Sequence, residues 1–142
     1  APIHFMQQRV RGILISDGMI VLIKRVKQDK TYYVFPGGGV EKNENLTQAL
    51  KREMKEELGV DISIGKLLFE KRFDRPGLDQ TEYFYLCDII DGLLGTGNGP
   101  EYQIGNEYEG THEVVRLPIK EIEGIDLLPA EAKLFVLQNY GI

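Results

Sequence analysis

A glycine-rich turn followed by one amphipathic helix, residues 38–60, constrains the fold of this chain more than any other stretch. Asn45 is a favourable N-cap residue, and Gln48 three positions later completes the pattern of a capping box. Gly59 suits the left-handed conformation that commonly ends a helix. The residues between them are mostly Ala, Leu, Lys, Arg, Met and Glu, which favour helix. We therefore predict a helix that begins after Asn45 and ends at Gly59.

A helical-wheel projection at about 100° per residue places several acids of this helix beside its apolar face. The apolar stripe consists of Leu46, Leu50, Met54 and Leu58. Glu53, Glu56 and Glu57 lie together along one edge of the stripe. Like charges three or four residues apart destabilise a helix, and a divalent cation, which prefers oxygen ligands, would compensate. The alternative is a solvated acidic face paired with Lys51, Lys55 and Arg52.

Three consecutive glycines, residues 37–39, precede the helix directly after Pro36. Proline favours the end of the preceding strand, and glycine allows the backbone to approach a ligand closely. Such a turn would bring carbonyl oxygens near a cation held by the helix acids. A glycine run by itself is more often an ordinary turn, so its meaning depends on the helix that follows.

Together, the turn and the helix resemble the Nudix box. Its pattern is a Gly, five residues, a Glu, seven residues, and then Arg-Glu-aliphatic-x-Glu-Glu-x-Gly-aliphatic. Here Gly38 is followed after five residues by Glu44, and seven more lead to residues 52–60, which read Arg-Glu-Met-Lys-Glu-Glu-Leu-Gly-Val. Every fixed position is filled. The family usually has a Gly before its first Glu where this chain has Asn43. Because Asn tolerates the left-handed conformation, we expect the turn to be kept.

The resemblance implies an α/β fold, an α/β/α sandwich with a mixed central β-sheet and the box helix packed on it. Asp17-Gly18 is a strong hairpin signal, and Gly65 predicts a bulge. Strands are predicted at residues 9–16, 19–26, 32–35, 62–73, 81–90 and 111–117. The strand at 81–90 is expected to be central. A last helix is predicted at residues 129–140, with Leu134, Phe135 and Leu137 facing the core.

The length, the net charge and the single cysteine limit the class of protein to which this chain can belong. The 142 residues suit one domain, residues 1–142. A net charge of −5 argues against general nucleic-acid binding. A single cysteine, Cys87, excludes an internal disulfide and favours a reducing compartment. Because no apolar run is long enough for a membrane span and no signal-peptide layout begins the chain, we expect a cytoplasmic protein. A homodimer is left open.

The resemblance also implies a reaction. Nudix proteins typically hydrolyse the pyrophosphate bond of a nucleoside diphosphate linked to another moiety. Mg²⁺ or Mn²⁺ would neutralise the phosphate oxygens, and a carboxylate would act as general base. By match to the box, Glu56 and Glu57 are implied as the metal-binding pair, Glu53 as a third ligand or the base, and the Gly37 carbonyl as a further ligand.

Arg52 and Glu44 match a pair that braces the loop against the helix, and Arg can hold a carboxylate bidentately. Other members take the base or a further ligand from a late loop. Here that loop, residues 91–110, is rich in glycine and contains Glu101, Glu107 and Glu109. Glu107 and Glu109 lie closest to the following strand, so we prefer them.

Three residues are candidates for contact with the substrate. Arg25 ends the second strand and could bind a phosphate, although a surface charge explains it equally well. Gly38 allows the close approach of a ligand to the backbone. Tyr33 could stack on a base, but core packing is the better interpretation. His4 and His112 form no motif, and we interpret both as structural.

Two other functions remain as alternatives. A catalytically silent Nudix domain could sense a nucleotide or bind a protein, although silent members usually lose acids that this chain keeps. An isopentenyl-diphosphate isomerase would need a cysteine in an early strand, whereas Cys87 lies in a late one. The box does not specify the substrate. Residues 75–77, Arg-Pro-Gly, faintly resemble ADP-ribose hydrolases, and hydrolysis of damaged nucleoside triphosphates is equally open.

Overall fold

The computed structural model describes residues 6–97 and 110–141, and within these ranges a mixed sheet lies between two helices. The strands of these ranges are β1 Gln7–Ser16, β2 Met19–Lys27, β3 Lys30–Val34, β4 Gly37–Gly39, β5 Val60–Arg75, β6 Leu78–Gly92, β7 Glu113–Pro118 and β8 Leu127–Leu128. The helices are α1 Leu46–Leu58 and α2 Ala130–Tyr140, with a 3-10 helix at Ile119–Gly124. The expected α/β architecture with a mixed sheet is therefore present.

Strand β1 organises the sheet, whose order is β5-β6-β1-β2-β3-β8. Along one edge β1 pairs in parallel with β6. Along the other it pairs antiparallel with β4 near its start and with β2 at the hairpin. Strand β7 adds to β2. The strand predicted to be central, β6, is paired on both edges, but it lies one position from the end of this order.

Side chains of β1 and β2 alternate between two hydrophobic cores, one on each face of the sheet, as the two-residue period of a strand requires. The first core joins the sheet to α1 and includes Val10, Leu14, Val21, Ile23, Leu50, Met54 and Leu58. The second joins it to the 3-10 helix and α2 and includes Ile13, Ile20, Leu22, Phe84, Ile122 and Val136. Each fully buried aliphatic side chain of this size contributes about 1.5–3 kcal/mol.

A long hairpin of β5 and β6 forms one side of the sheet. Its register shifts between Ile64 and Leu67, so the bulge predicted at Gly65 is confirmed. The turn at Pro76 and Gly77 is tighter than predicted, because β5 continues to Arg75. Within residues 6–97 and 110–141, no helix has both the length and the apolar character needed to cross a membrane.

One core prediction for the last helix is wrong. Leu134 is 56% exposed, whereas Ala132 and Val136 are the buried residues of α2. Ala132 and Val136 are four positions apart and share a face, and Leu134, halfway between them, points to the opposite side. Phe135 does pack, with its ring 5.8 Å from that of Phe69. A buried alanine gives almost no hydrophobic signal, which is why the sequence favoured the leucine.

Candidate active site

Helix α1 begins and ends where the sequence predicts. Asn45 Oδ1 accepts a hydrogen bond from the Gln48 backbone N–H at 2.8 Å, and Gln48 Oε1 accepts one from the Asn45 N–H at 2.9 Å. Gly59 has a φ of 79° and donates its N–H to the carbonyls of Met54 and Lys55. These local bonds satisfy backbone groups that a helix end leaves without partners, and they set where the helix begins and ends.

The acidic edge of α1 faces the glycine strand β4. Leu50, Met54 and Leu58 are completely buried, and Glu57 is only 6% exposed. The Glu57 carboxylate accepts a hydrogen bond from the Gly37 N–H at 2.8 Å. A charged carboxylate is stable at such a site only when it is hydrogen-bonded. The acid predicted as a ligand is therefore held against the backbone of the glycine turn.

Two of the glycines lie in close contacts that a side chain would alter. Gly37 has a φ of 147°, and a Cβ on it would lie 1.9 Å from the Val10 carbonyl oxygen in β1. A Cβ on Gly38 would lie 2.5 Å from Glu53 Oε1. The side chain of Glu53 thus lies directly against the backbone of Gly38. Residues with a side chain at these two positions would push either the strand or the carboxylate away.

Arg52 connects the loop to the helix through a dense set of contacts. Its Nε lies 2.7 Å from Glu44 Oε2 and its Nη2 lies 3.0 Å from Glu44 Oε1, which makes the pair bidentate. Nη2 also donates to the Gly39 carbonyl at 2.9 Å. Nη1 donates to Glu53 at 2.9 Å and to Glu56 at 3.2 Å. Arg52 therefore contacts the loop, the glycine strand and the helix acids at the same time.

Hydrogen bonding within this cluster keeps both partners charged. The bond from Arg52 lowers the pKa of the Glu44 carboxyl below its usual range. The bond to Glu44 in turn raises the pKa of Arg52. Glu44 also accepts from the Glu41 N–H at 2.9 Å, which closes the loop before the helix. The loop, the glycine strand and the helix are thus held together through one guanidinium.

The three helix acids supply donors of the kind that Mg²⁺ or Mn²⁺ binds, hard carboxylate oxygens on one side of one helix. Arg52 holds Glu53 and Glu56 on a single nitrogen, and Glu57 lies beside Gly37. In the part of the chain that the structure describes, no three His, Cys, Asp or Glu side chains are already gathered around a common point. The donor chemistry therefore fits a divalent cation, but the ligands are not arranged as a preformed cluster.

The other predicted residues lie elsewhere or outside the described ranges. Arg25 lies in β2, where its Nε donates to the Thr111 carbonyl at 3.0 Å. Tyr33 lies in β3 and packs against the second core, as its alternative interpretation expected. Burial, with a smaller effect from the charge of Arg25, lowers the pKa of His112 to about 4. Glu101, Glu107, Glu109 and His4 fall outside the described residues, so their roles stay predictions.

The structure adds an ion pair that sequence reasoning missed. Arg11 Nε lies 2.9 Å from Glu82 Oε2, and Arg11 Nη1 donates to the Phe35 carbonyl at 3.1 Å. The two side chains are only 15% and 10% exposed. They line a cleft of 380 Å³ whose other walls include Val34, Phe73, Leu128, Pro129 and Ala130. This ion pair depends on the parallel pairing of β1 with β6, for which the sequence contains no local signal.

A family model described as the NUDIX domain matches residues 6–135. The chain is 35% identical over 102 residues to the 8-oxo-dGTP diphosphatase of Haemophilus influenzae, covering 69% of this chain and 72% of that protein. It is 34% identical over 94 residues to the ADP-ribose pyrophosphatase of Methanocaldococcus jannaschii, covering 63% of this chain and 54% of that protein. The chain thus spans about half the length of some relatives. The match covers 54% of the Methanocaldococcus jannaschii protein and 42% of an 8-oxo-dGTP diphosphatase of Buchnera aphidicola.

Solved structures agree with the fold. The Escherichia coli ORF135 protein has a TM-score of 0.66 and 26% identity, with 94% of this chain and 91% of that chain covered. A NUDIX hydrolase from Nitrosomonas europaea has a TM-score of 0.72 at 15% identity, with 96% of this chain and 90% of that chain covered. At such low identity, the second similarity supports the fold alone.

Proposed function

The chain belongs to the Nudix family, and from that premise we propose that it is a metal-dependent hydrolase that cleaves the pyrophosphate bond of a nucleotide-type substrate. The observation that carries the proposal is the complete box folded as one unit. Its acids, Glu53 and Glu57, lie against the backbone of the glycine strand. Arg52 ties that unit together. A domain that only binds a partner would not need a buried Glu57 together with two further carboxylates that Arg52 braces.

In the proposed mechanism, Glu53, Glu56, Glu57 and the Gly37 carbonyl hold Mg²⁺ or Mn²⁺. The bound cation supplies charge neutralisation for the phosphate oxygens. Glu44 and Arg52 keep the glycine strand and the helix in register with each other. A carboxylate then takes a proton from the attacking water. Glu53 is one candidate for that base, and Glu107 and Glu109 of the late loop are the others.

The cleft beside Arg11 and Glu82 supports a substrate with an organic moiety of nucleoside type. Its volume of 380 Å³ and its mostly apolar walls with a few polar groups are typical of small-molecule sites. The longer of the two matches reported above is to an 8-oxo-dGTP diphosphatase, which favours a nucleoside triphosphate. The similarity to an ADP-ribose pyrophosphatase supports ADP-ribose as the second candidate.

The test is a release assay with nucleoside triphosphates, including oxidised ones, and with ADP-ribose and nucleotide sugars. Hydrolysis should require Mg²⁺ or Mn²⁺, stop in excess chelator and return when the metal is restored. Glu56→Gln should remove most of the activity, whereas Glu121→Gln, which changes an exposed acid of the 3-10 helix, should keep it. Undiminished hydrolysis in chelator would contradict the mechanism. Tight nucleotide binding with no hydrolysis of any substrate would instead favour a silent sensor.

The same assay identifies the base. Glu53→Gln, Glu107→Gln and Glu109→Gln are compared at saturating substrate. Loss of the base lowers kcat by about 10²–10⁴-fold with little change in KM. If both loop variants keep nearly the parent rate, the base is Glu53.

A further inference from the structure

Arg9 places a guanidinium beside the glycine strand. In the sheet it lies opposite Gly39 of β4 on one side and Glu82 of β6 on the other. Its Nη1 is 4.0 Å from the position that a Cβ on Gly39 would occupy. Because Gly39 has no side chain, nothing from that residue covers the guanidinium. Arg9 therefore borders the same strand whose neighbouring glycines contact Glu53 and Glu57.

The guanidinium of Arg9 differs from its two neighbouring arginines in its contacts. Arg11 is paired with Glu82, and Arg52 is paired with Glu44. For Arg9, residues 6–97 and 110–141 provide neither a hydrogen bond nor an ion pair within 4.0 Å. A guanidinium has five N–H donors. Among the described residues, the fully buried side-chain donors that lack a hydrogen bond do not include those of Arg9, so its donors still reach solvent and are open to a ligand.

The charges around Arg9 do not compensate for its burial. Burial lowers its pKa, and repulsion from Arg11 lowers it further. Glu82, Glu53 and Glu57 raise it, but not enough to restore the usual value. A cation bound to Glu53 and Glu57 would neutralise part of their attraction. The environment of Arg9 would then favour an incoming anion more strongly than it does without the metal.

There is also room for an anion next to this side chain. A polar cavity of 440 Å³ opens over the start of β1 and the loop before α1. Its lining includes Gln8, Arg9, Gly39, Lys42 and Glu44. The cavity thus reaches from Arg9 to the glutamate that Arg52 holds. A phosphate group placed here would lie beside the guanidinium of Arg9, at the glycine strand and the loop that leads into α1.

We propose that Arg9 binds a phosphate group of the substrate while the neighbouring phosphate oxygens face the cation held by the box acids. The inference rests on the proposed function, since it concerns the same substrate and the same site. Arg9 supplies a fork of N–H donors that matches two phosphate oxygens. Its contribution is to hold the pyrophosphate in place, and it takes no part in proton transfer.

The test uses methylenediphosphonate, a pyrophosphate analogue whose bridge is not hydrolysed, with Mg²⁺ present and in excess chelator. Affinity is measured by titration calorimetry for the parent, Arg9→Gln, Arg9→Lys and Arg116→Gln. Arg116 is a matched control, because it is an exposed arginine whose Nη2 donates to Ser16 at the far end of β1. Seven residues of strand separate the two sites by about 23 Å.

With Mg²⁺, we expect Arg9→Gln to weaken binding by about 10- to 100-fold, the factor of one lost charge-assisted hydrogen bond. Arg9→Lys should recover part of the affinity, because it keeps the charge and loses the fork. Arg116→Gln should bind like the parent. In hydrolysis assays Arg9→Gln should raise KM by a similar factor, with a smaller change in kcat.

Thermal melts separate this role from a structural one. Without ligand, Arg9→Gln should melt at or above the temperature of the parent, because the change removes a cation that lacks a partner. Methylenediphosphonate with Mg²⁺ should raise the melting temperature of the parent more than that of the variant. A variant that melts lower without ligand, and gains as much from the analogue, shows that Arg9 is structural.

The two proposals fail in distinguishable ways. If the parent hydrolyses nucleotides with Mg²⁺ and Arg9→Gln keeps the parent affinity and KM, the phosphate role of Arg9 is wrong and the proposed function stands. If the parent hydrolyses no pyrophosphate compound but Arg9→Gln still weakens binding of the analogue, the proposed function is wrong and the anion site stands. If the parent binds no analogue with Mg²⁺, the Arg9 inference is overturned.

Discussion

At the scale of single residues, the position of Glu53 depends on the absence of one side chain. Gly38 lies so close to this carboxylate that a Cβ would come within 2.5–2.7 Å of three of its atoms. Arg52 holds the same carboxylate from the other side. A glycine and an arginine therefore fix the acid between them. Neither residue needs to touch the substrate to influence the reaction.

Gly38→Ala should therefore reduce activity without unfolding the protein. The methyl group displaces the end of a flexible side chain rather than backbone, so the fold accommodates it. A displacement of about 1 Å at a reacting group can lower the rate by about 10²-fold. We expect a loss of that size in kcat and a nearly unchanged melting curve. The comparison is Gly124→Ala, where an added Cβ meets no heavy atom within 4 Å; equal activity of both variants would contradict this account.

The identity of the box residues could be predicted from spacing, but the surroundings of Arg9 could not. Glu53, Glu56 and Glu57 follow from the helical period, which depends on neighbours in sequence. The contacts of Arg9 depend on Gly39 and Glu82, which are 30 and 73 positions away. Only the pairing of β1 with β4 and β6 brings these residues together. The sequence offered no local signal for that register.

At the scale of elements, the capping box determines where α1 begins, and its buried apolar face determines where its acids point. The reciprocal bonds of Asn45 and Gln48 complete the first turn. At the other end, Gly59 packs so tightly that a Cβ would lie 2.1 Å from Thr96 Oγ1. Both signals are local and both were predicted correctly. The short strand β4 was predicted only as a turn, because its pairing with β1 is non-local.

Asn45→Ala should destabilise the protein by about 0.5–2 kcal/mol, the usual effect of losing an N-cap acceptor. Asn45→Asp keeps an oxygen acceptor at the same place and should cost much less. The free energy of unfolding is measured by urea denaturation of the parent and both variants. If alanine and aspartate have equal effects, the side-chain bond to the Gln48 N–H does not contribute, and our interpretation of the helix start is wrong.

At the scale of the whole molecule, one sheet separates two cores. The reactivity of the Cys87 thiol shows whether the first of these cores is closed or open. The thiol is 1% exposed and belongs to the core beneath α1. Burial, with a smaller effect from Asp88, raises its pKa to about 12. The reactive species is the thiolate. In the folded protein this cysteine is therefore both covered and protonated at pH 8.

A thiol-reactive dye at pH 8 should accordingly label Cys87 only when the first core opens. In urea the unfolded thiol, with an ordinary pKa of about 8.5, reacts quickly. The labelling rate should follow the fraction unfolded measured by circular dichroism. Because the sequence contains one cysteine, Cys87→Ala gives the background. Rapid labelling of the native protein would show that α1 leaves the sheet while the rest stays folded.

The alternation of β1 between two cores also limits how related chains can differ in length. Val10 and Leu14 face one core and Ile13 faces the other. One inserted residue between Val10 and Ile13 would send every later side chain of the strand to the wrong face. An insertion at the hairpin tip, Asp17-Gly18, leaves both cores as they are. Alignment gaps among relatives should therefore fall at hairpin tips such as this one. The number of residues in β1 should be the same in all of them.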